Sequence, residues 1–248
     1  GSTQIIRNFL IAQVDSTPTF ALYGLGITPT TDNRPEVYYK NLLTTGSNNL
    51  ADATFTETTS NAGGSDTTDF NLFVYYRRLG YIFGARGAGN THIWRYDPDG
   101  GDAFANTHQA LNHTFIGQGV VHSKNDILYI PYAFDGTPIS AIARNNNGSW
   151  TTAALTLPTH LVPTSICEYG NFLAIGCAHR DGVSNSRVYL WDMNASLATI
   201  HETIDWGAGS LVILEEIDGE LVGISQKGGT ATSFSGIPIG YLFKFKSL

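Results

Sequence analysis

Two stretches of the chain, His92-Ile93-Trp94-Arg95-Tyr96-Asp97 and Arg187-Val188-Tyr189-Leu190-Trp191-Asp192, align without a gap. Both are built from the aromatic and β-branched residues that suit a pleated strand. Along an extended segment successive side chains point to opposite faces. Val188, Leu190 and Asp192 therefore face one way, and Tyr189 and Trp191 the other. Large side chains on both faces mean burial on both faces, which is the condition of a middle strand in a sheet stacked between two others. Leu242-Phe243-Lys244-Phe245-Lys246 fits the same frame, and Val37-Tyr38-Tyr39 and Ile142-Ala143-Arg144 are weaker members.

A second series precedes the first. Ala21-Leu22-Tyr23-Gly24, Tyr81-Ile82-Phe83-Gly84, Leu128-Tyr129-Ile130-Pro131, Leu173-Ala174-Ile175-Gly176 and Leu221-Val222-Gly223-Ile224 share one shape. Anchored on Tyr23, Phe83, Ile130, Ile175 and Ile224, they recur at intervals of 60, 47, 45 and 49 residues. Three of the four intervals fall where propeller blades lie, ~40–50 residues. The long first interval accommodates an insertion of loop composition over residues 45–69. A strand precedes each anchor: Asn8–Val14, Asn71–Tyr76, Gly119–Ser123, Ser165–Glu168 and Leu211–Ile217. Hairpin residues join most of them to the anchors: Asp15-Ser16-Thr17-Pro18, Asn125-Asp126, Gly170-Asn171 and Asp218-Gly219. A fourth, more polar strand follows in four repeats, at Ala53–Glu57, Thr107–Leu111, Thr152–Leu157 and Ala198–Ile204. No segment carries a sustained 3.6-residue apolar period, so little or no helix is expected.

The expected fold is thus all-β: a single five-bladed β-propeller over residues 1–248, with four antiparallel strands per blade. Blades fall at roughly 3–60, 61–114, 115–160, 161–206 and 207–248. The last blade ends after its third strand. Either it is three-stranded, or Thr3–Arg7 returns as its outer strand and closes the ring, or the chain is a fragment of a longer protein. A β-sandwich or jelly roll also has many short strands, but neither generates a self-similarity of ~47 residues. Gly1-Ser2 reads as a remnant of tag removal and is set aside.

Composition narrows the function classes. The 248 residues are 42% apolar but only 14% charged, with a net charge of −7. Nucleic acid needs a concentrated positive field, whereas the densest basic cluster here is Arg77-Arg78. No nucleic-acid partner is expected. No apolar run approaches the ~20 residues that span a bilayer, so no membrane insertion is expected. Cys167 and Cys177 fall in one hairpin turning near Tyr169-Gly170-Asn171. Pairing across that turn sets Cys167 near Ala174 and Cys177 about three residues, roughly 10 Å, further on. That is beyond the ~7 Å a disulfide tolerates, so two free thiols are expected.

The segment Ser165–Ser225 contains Glu168-Tyr169-Gly170-Asn171-Phe172-Leu173-Ala174-Ile175, Val188-Tyr189-Leu190-Trp191-Asp192, Glu202-Thr203-Ile204-Asp205-Trp206-Gly207 and Leu214-Glu215-Glu216-Ile217-Asp218-Gly219. It resembles the blade pattern of propeller domains in virion-associated structural proteins of tailed phages. The resemblance covers about a quarter of the chain and brings no catalytic residue. It implies a virion component at a tail or surface, non-enzymatic, with protein partners in a larger assembly or a host-surface glycan as ligand. Cytoplasmic location is the alternative to the virion.

The alternative function is a carbohydrate-active five-bladed propeller, either lectin or glycoside hydrolase. A hydrolase needs two opposed carboxylates. In such propellers they sit near the starts of the innermost strands, here Ile6, Asp69, Gln118, Thr164 and Ser210, of which only Asp69 is an acid. Other acids, such as Asp15, Asp126 and Asp218, sit in turns, where Asp bonds its own backbone. His92, His108, His113, His122, His160, His179 and His201 show no zinc-helix spacing, and Cys-x-x-Cys is absent. His108 and His113, beside Asp102, are the one grouping worth weighing as a metal site. Asp97-Pro98-Asp99-Gly100-Gly101-Asp102 lacks the alternating ligands of a calcium loop. Neither a metal nor a cofactor is expected. The remaining resource is aromatic. Trp150 and Trp206 near loops, and Tyr132 and Phe134 at the end of a second strand, are the candidate binding residues, because exposed rings beside polar side chains hold sugars.

Overall fold

The computed structural model describes residues 5–13, 20–27, 35–41, 56–61, 70–86, 90–99, 103–182, 184, 186–202, 210–227 and 239–244. Every regular element among them is a β-strand. Among the described residues, no helix is long and apolar enough to cross a membrane. The chain packs as two compact units, Gly1–Asn112 and His113–Leu248.

The first unit holds two four-stranded sheets. One runs in the order β1 (Ile5–Gln13), β2 (Phe20–Ile27), β3 (Pro35–Asn41), β4 (Thr56–Asn61); the other in the order β5 (Phe70–Tyr76), β6 (Tyr81–Arg86), β7 (Asn90–Asp97), β8 (Ala103–His113). Ala12, Ala21 and Tyr23 pack with Phe73, Ile82, Trp94 and Tyr96 to form the core. Tyr23 meets Tyr96 edge-on at 5.9 Å between ring centroids. Ile5 and Ile6 pair with Ile27 and Gly26. The N-terminal strand thus extends the first strand of the first sheet, and the expectation that Thr3–Arg7 closes the last blade is corrected to that extent. The apolar pair Ile5-Ile6 continues the pattern of the strand that follows it.

The second unit holds three sheets. In the first, β10 (Val120–His122), β11 (Ile127–Phe134), β12 (Ile139–Asn146) and β13 (Ser149–Thr156) lie in order, and β9 (Phe115–Ile116) also pairs with β11. The next runs β14 (Leu161–Tyr169), β15 (Phe172–His179), β16 (Arg187–Trp191), β17 (Thr199–Glu202). The last has β18 (Ser210–Ile217), β19 (Glu220–Lys227) and β20 (Ile239–Lys244). All pairings are antiparallel.

Local chemistry sets the hairpins. Asp218 and Gly219 both take positive φ, 53° and 79°, as the tight two-residue turn between β18 and β19 demands. Asn147 (49°) and Gly148 (90°) do the same between β12 and β13. Asn145 supports that turn by accepting a bond from the Gly148 N–H at 2.7 Å.

The two faces of β16 behave as their alternation predicts. Tyr189 and Trp191 join a core shared with the preceding sheet. Val188 joins a second core with Leu214 and Leu221 of the following sheet. The outer strand β13 is mostly exposed or half-buried, whereas β14 is buried along most of its length. Cys167 lies opposite Ala174 and Cys177 opposite Pro163. Both are free thiols.

Candidate functional site

The aromatics singled out from sequence do not form one site. Tyr132 is 4% exposed, opposite Ala141 and Ile116, and burial pushes its phenol pKa up. It is a packing residue. Phe134, half-buried at the end of β11, covers Gly136, where an added Cβ would meet its ring at 2.6 Å. Trp150 pairs with Asn145, which is level with Leu128 at the other end of β11. Six residues of strand, about 20 Å, separate that level from Phe134. Trp206 lies outside the described residues.

What recurs instead is a β-bulge near the start of each sheet's first strand. The register skips Arg7 on β1, Asn71 on β5, Thr164 on β14 and Val212 on β18. Between β9 and β10, the three residues Gly117-Gln118-Gly119 face only Pro131 and Ile130 on β11. The extra residue there is at or beside Gln118. An added residue bends the strand and re-aims its side chain, and such bulges gather at functional sites. None of these five positions is a carboxylate, and Asp69 lies outside the described residues.

Two bulged ends of the second unit, at Gln118 and Thr164, are described to the side chain. Gln118 is exposed. Thr164 is buried and its hydroxyl donates to the Gly176 carbonyl at 3.2 Å. Gly117 has no room for a side chain: a Cβ would meet the Pro131 ring at 2.9 Å and the Thr164 carbonyl at 3.3 Å. The β9–β10 link therefore crosses closely over β14.

The strand ends beyond these bulges carry a polar cluster. Arg180 follows β15 in a turn that closes through Gly182 (φ 67°). Its Nε donates to the Thr159 carbonyl at 2.6 Å and its Nη2 to the Ile139 carbonyl at 2.9 Å. Its Nη1 pairs with the Asp135 carboxylate, and its backbone N–H donates to the His160 carbonyl at 2.8 Å. Ser140 Oγ donates to the Leu161 carbonyl. One guanidinium so ties the β11–β12 loop to the sheet of β14 and β15. Beside it, His179 Nδ1 lies 2.9 Å from Asp181 Oδ1. The His160 and His179 rings are 4.9 Å apart with a 37° tilt. Desolvation, and then the neighbouring His179 and Arg187, lower the His160 pKa, with Asp181 opposing. Asp181 also accepts from the Ser184 N–H at 2.8 Å and hydroxyl at 2.7 Å.

Sequence spacing hid this cluster. Asp135 and Arg180 are 45 residues apart, and His160 and His179 meet only because Leu161 pairs with His179. The grouping weighed from sequence behaves otherwise. His108 and His113 lie on one strand an odd number of residues apart, hence on opposite faces, and Asp102 lies outside the described residues. Among the described residues, no three His, Cys, Asp or Glu side chains are placed to hold a metal ion.

No protein-family model matches the sequence. No curated protein matches it either. Solved structures do share its fold. A Trypanosoma rangeli sialidase in complex with sialic acid aligns over 90% of this chain and 44% of its own at 12% identity, with a TM-score of 0.51. The same organism's sialidase with 2,3-difluorosialic acid gives 89%, 43%, 13% and 0.52. An exo-β-1,3-galactanase from Phanerochaete chrysosporium, solved with galactose, aligns over 98% of this chain and 64% of its own at 10% identity and a TM-score of 0.46. The chain therefore spans less than two thirds of the length of these proteins. At such identities the likeness establishes an all-β, propeller-like fold.

These neighbours correct two expectations. The expectation of a non-enzymatic virion component is contradicted, because the fold is shared with a sialidase and no phage protein is among the matches reported. The expectation that the chain is not an enzyme is contradicted to the extent that its fold is one an enzyme, the sialidase, also has. The phage resemblance over Ser165–Ser225 rested on strand-and-turn style. That style belongs to the scaffold, and one scaffold hosts many functions.

Proposed function

We propose that the chain is a carbohydrate-active β-propeller domain, its five sheets the five blades. We place its saccharide site in the second unit, where β10 and β14 begin. The observation that carries the reading is the meeting, at one end of two neighbouring sheets, of bulged first strands with a cluster of planar polar groups. Gln118 stands exposed at one bulge. The His160–His179 pair, Asp181 and half-buried Phe134 stand on the adjoining strand ends. Amide, imidazole and carboxylate groups supply the in-plane hydrogen bonds that vicinal hydroxyls accept and donate, and an aromatic face stacks on the apolar side of a sugar ring. The fold shared with enzymes of saccharide metabolism supports the substrate class.

The test is a glycan array carrying galactosides and sialosides, run beside aryl glycosides of the same sugars as hydrolysis substrates. Saturable binding or turnover that falls at least about tenfold in Gln118→Ala supports the site, the scale expected when hydrogen bonds to a ligand are removed. Neither binding nor turnover on any saccharide overturns the reading. Activity untouched by Gln118→Ala and Phe134→Ala moves the site elsewhere.

A further inference from the structure

The turn between β12 and β13 holds the chain's single Asn-Gly pair, Asn147-Gly148. Both residues are exposed and both take positive φ, 49° and 90°. Asparagine is a thermolabile residue, because the backbone nitrogen that follows it can attack its side-chain amide. The attack requires that nitrogen to shed its proton and to approach Cγ closely. Glycine leaves the approach unhindered, having no Cβ, and nothing stands within 4 Å of where a Cβ on Gly148 would lie. In the folded turn, however, the attacking group is held. The Gly148 N–H donates to Asn145 Oδ1 at 2.7 Å. Asn145 is fully buried, so its acceptor oxygen is fixed by packing. Its Nδ2 has no hydrogen-bond partner among the described residues. A buried amide left half-satisfied costs free energy, so the favourable contribution of this side chain comes through Oδ1, at the turn.

We infer that Asn147 is a deamidation site of this chain and that Asn145 controls its rate. While the turn is closed, the Gly148 N–H stays bonded to Asn145 Oδ1 and its nitrogen does not react. When the turn opens, Gly148 N bonds to Asn147 Cγ and the Cγ–Nδ2 bond breaks. Nδ2 leaves as ammonia, taking the proton that Gly148 N has shed. Water then opens the resulting succinimide at either of its carbonyls and yields aspartate or isoaspartate. Water is the sole co-reactant. Either product adds a negative charge to an exposed turn. Isoaspartate also adds a methylene to the backbone, which a two-residue turn cannot absorb without disturbing the pairing of Asn146 with Ser149. The modification thus loosens the start of β13, where Trp150 stands opposite Asn145.

The test is peptide mapping by mass spectrometry of the full chain during incubation at neutral pH, in buffer and in urea, with hydrogen exchange of the Gly148 N–H followed in parallel. In urea, Asn147 should deamidate ahead of every other asparagine. In buffer its rate should fall at least about tenfold, because reaction then waits on local opening. Asn145→Ala should raise the rate in buffer and the Gly148 exchange rate by the same factor, about fivefold for one lost hydrogen bond. Asn145→Asp keeps an acceptor at that position and should stay near the parent rate. Circular dichroism checks that each variant retains the fold, and the comparison of buffer with urea tests the control without any substitution. The inference is overturned if another asparagine reacts first in urea, if Asn147 reacts as fast in buffer as in urea, or if a folded Asn145→Ala leaves its rate unchanged.

Discussion

Among the described residues, the sheet of β14–β17 buries rings toward one neighbour and only small or aliphatic side chains toward the other. Toward the β11–β13 sheet it presents Leu161, Ile166, Leu173, Ile175, Cys177, Tyr189 and Trp191 against Tyr129, Ile142, Leu155 and Leu157. Toward the β18–β20 sheet it presents Cys167, Ala174 and Val188 against Leu214 and Leu221, among the described residues. One strand, β16, feeds both: Tyr189 and Trp191 go to the first, Val188 to the second. The alternation that predicts burial on both faces does not predict how much each face contributes. That depends on which side receives the rings. Trp191 is 1% exposed, meets Tyr129 edge-on at 5.6 Å, and its indole N–H donates to the Ala195 carbonyl at 2.7 Å. Edge-on aromatic pairs add about 0.5–1.5 kcal/mol beyond buried area.

The largest effect expected is therefore at Trp191. Trp191→Ala should destabilise by about 3–5 kcal/mol in urea unfolding, the range for deleting a buried aromatic. Val188→Ala removes two methyl groups from the interface toward β18–β20 and should cost roughly 1.5–2 kcal/mol. Equal costs at the two positions would break the distinction between the interfaces.

How far this was legible in the sequence follows the range of the interactions. Val188 to Trp191 announce two buried faces because the signal lies within four adjacent residues. Asn125-Asp126, Gly170-Asn171 and Asp218-Gly219 announce their turns because backbone conformation there is a local matter. The sulfur atoms of Cys167 and Cys177 were correctly kept apart for the same reason: hairpin register is local. The site was not legible. Arg180 reaches Asp135 across 45 residues, and a bulge such as that at Thr164 leaves no mark on composition. Its one sequence trace is periodic: Asn71, Gln118, Thr164 and Val212 recur at the blade interval. Tyr132, read from sequence as a candidate binding ring, is 4% exposed, and burial is likewise a non-local outcome.

The two cysteines sharpen the same contrast, one in each interface. Burial alone pushes the Cys177 thiol up. Burial, and then the carboxylates of Glu215, Glu216 and Glu168, push Cys167 up to about 12. Both thiols stay protonated in the folded chain while the unfolded thiols ionise near their ordinary value. Above about pH 9 the unfolded state thus binds fewer protons, and stability falls as pH rises. Each thiol contributes a slope of at most about 1.4 kcal/mol per pH unit in that range. Stability curves between pH 8 and 11 should be shallower in Cys167→Ala and in Cys177→Ala than in the parent chain. An unchanged slope in Cys167→Ala would mean that the interface toward β18–β20 admits water to that sulfur.

The smallest effect should come from the face of β18 that points away from Leu214. Along β18, Leu214 is buried, but Ile213 and Ile217 are 50% and 52% exposed. Alternation puts these two on the face away from Leu214. An exposed apolar side chain that touches no core has little to lose, so Ile213→Thr and Ile217→Thr should each change stability by no more than about 0.5 kcal/mol. Threonine keeps the β-branched shape that a strand prefers, so the substitution tests burial and not propensity. A loss above about 1.5 kcal/mol in either variant would show that this face is covered in solution. The β18–β20 sheet would then have two buried faces, as the β14–β17 sheet has.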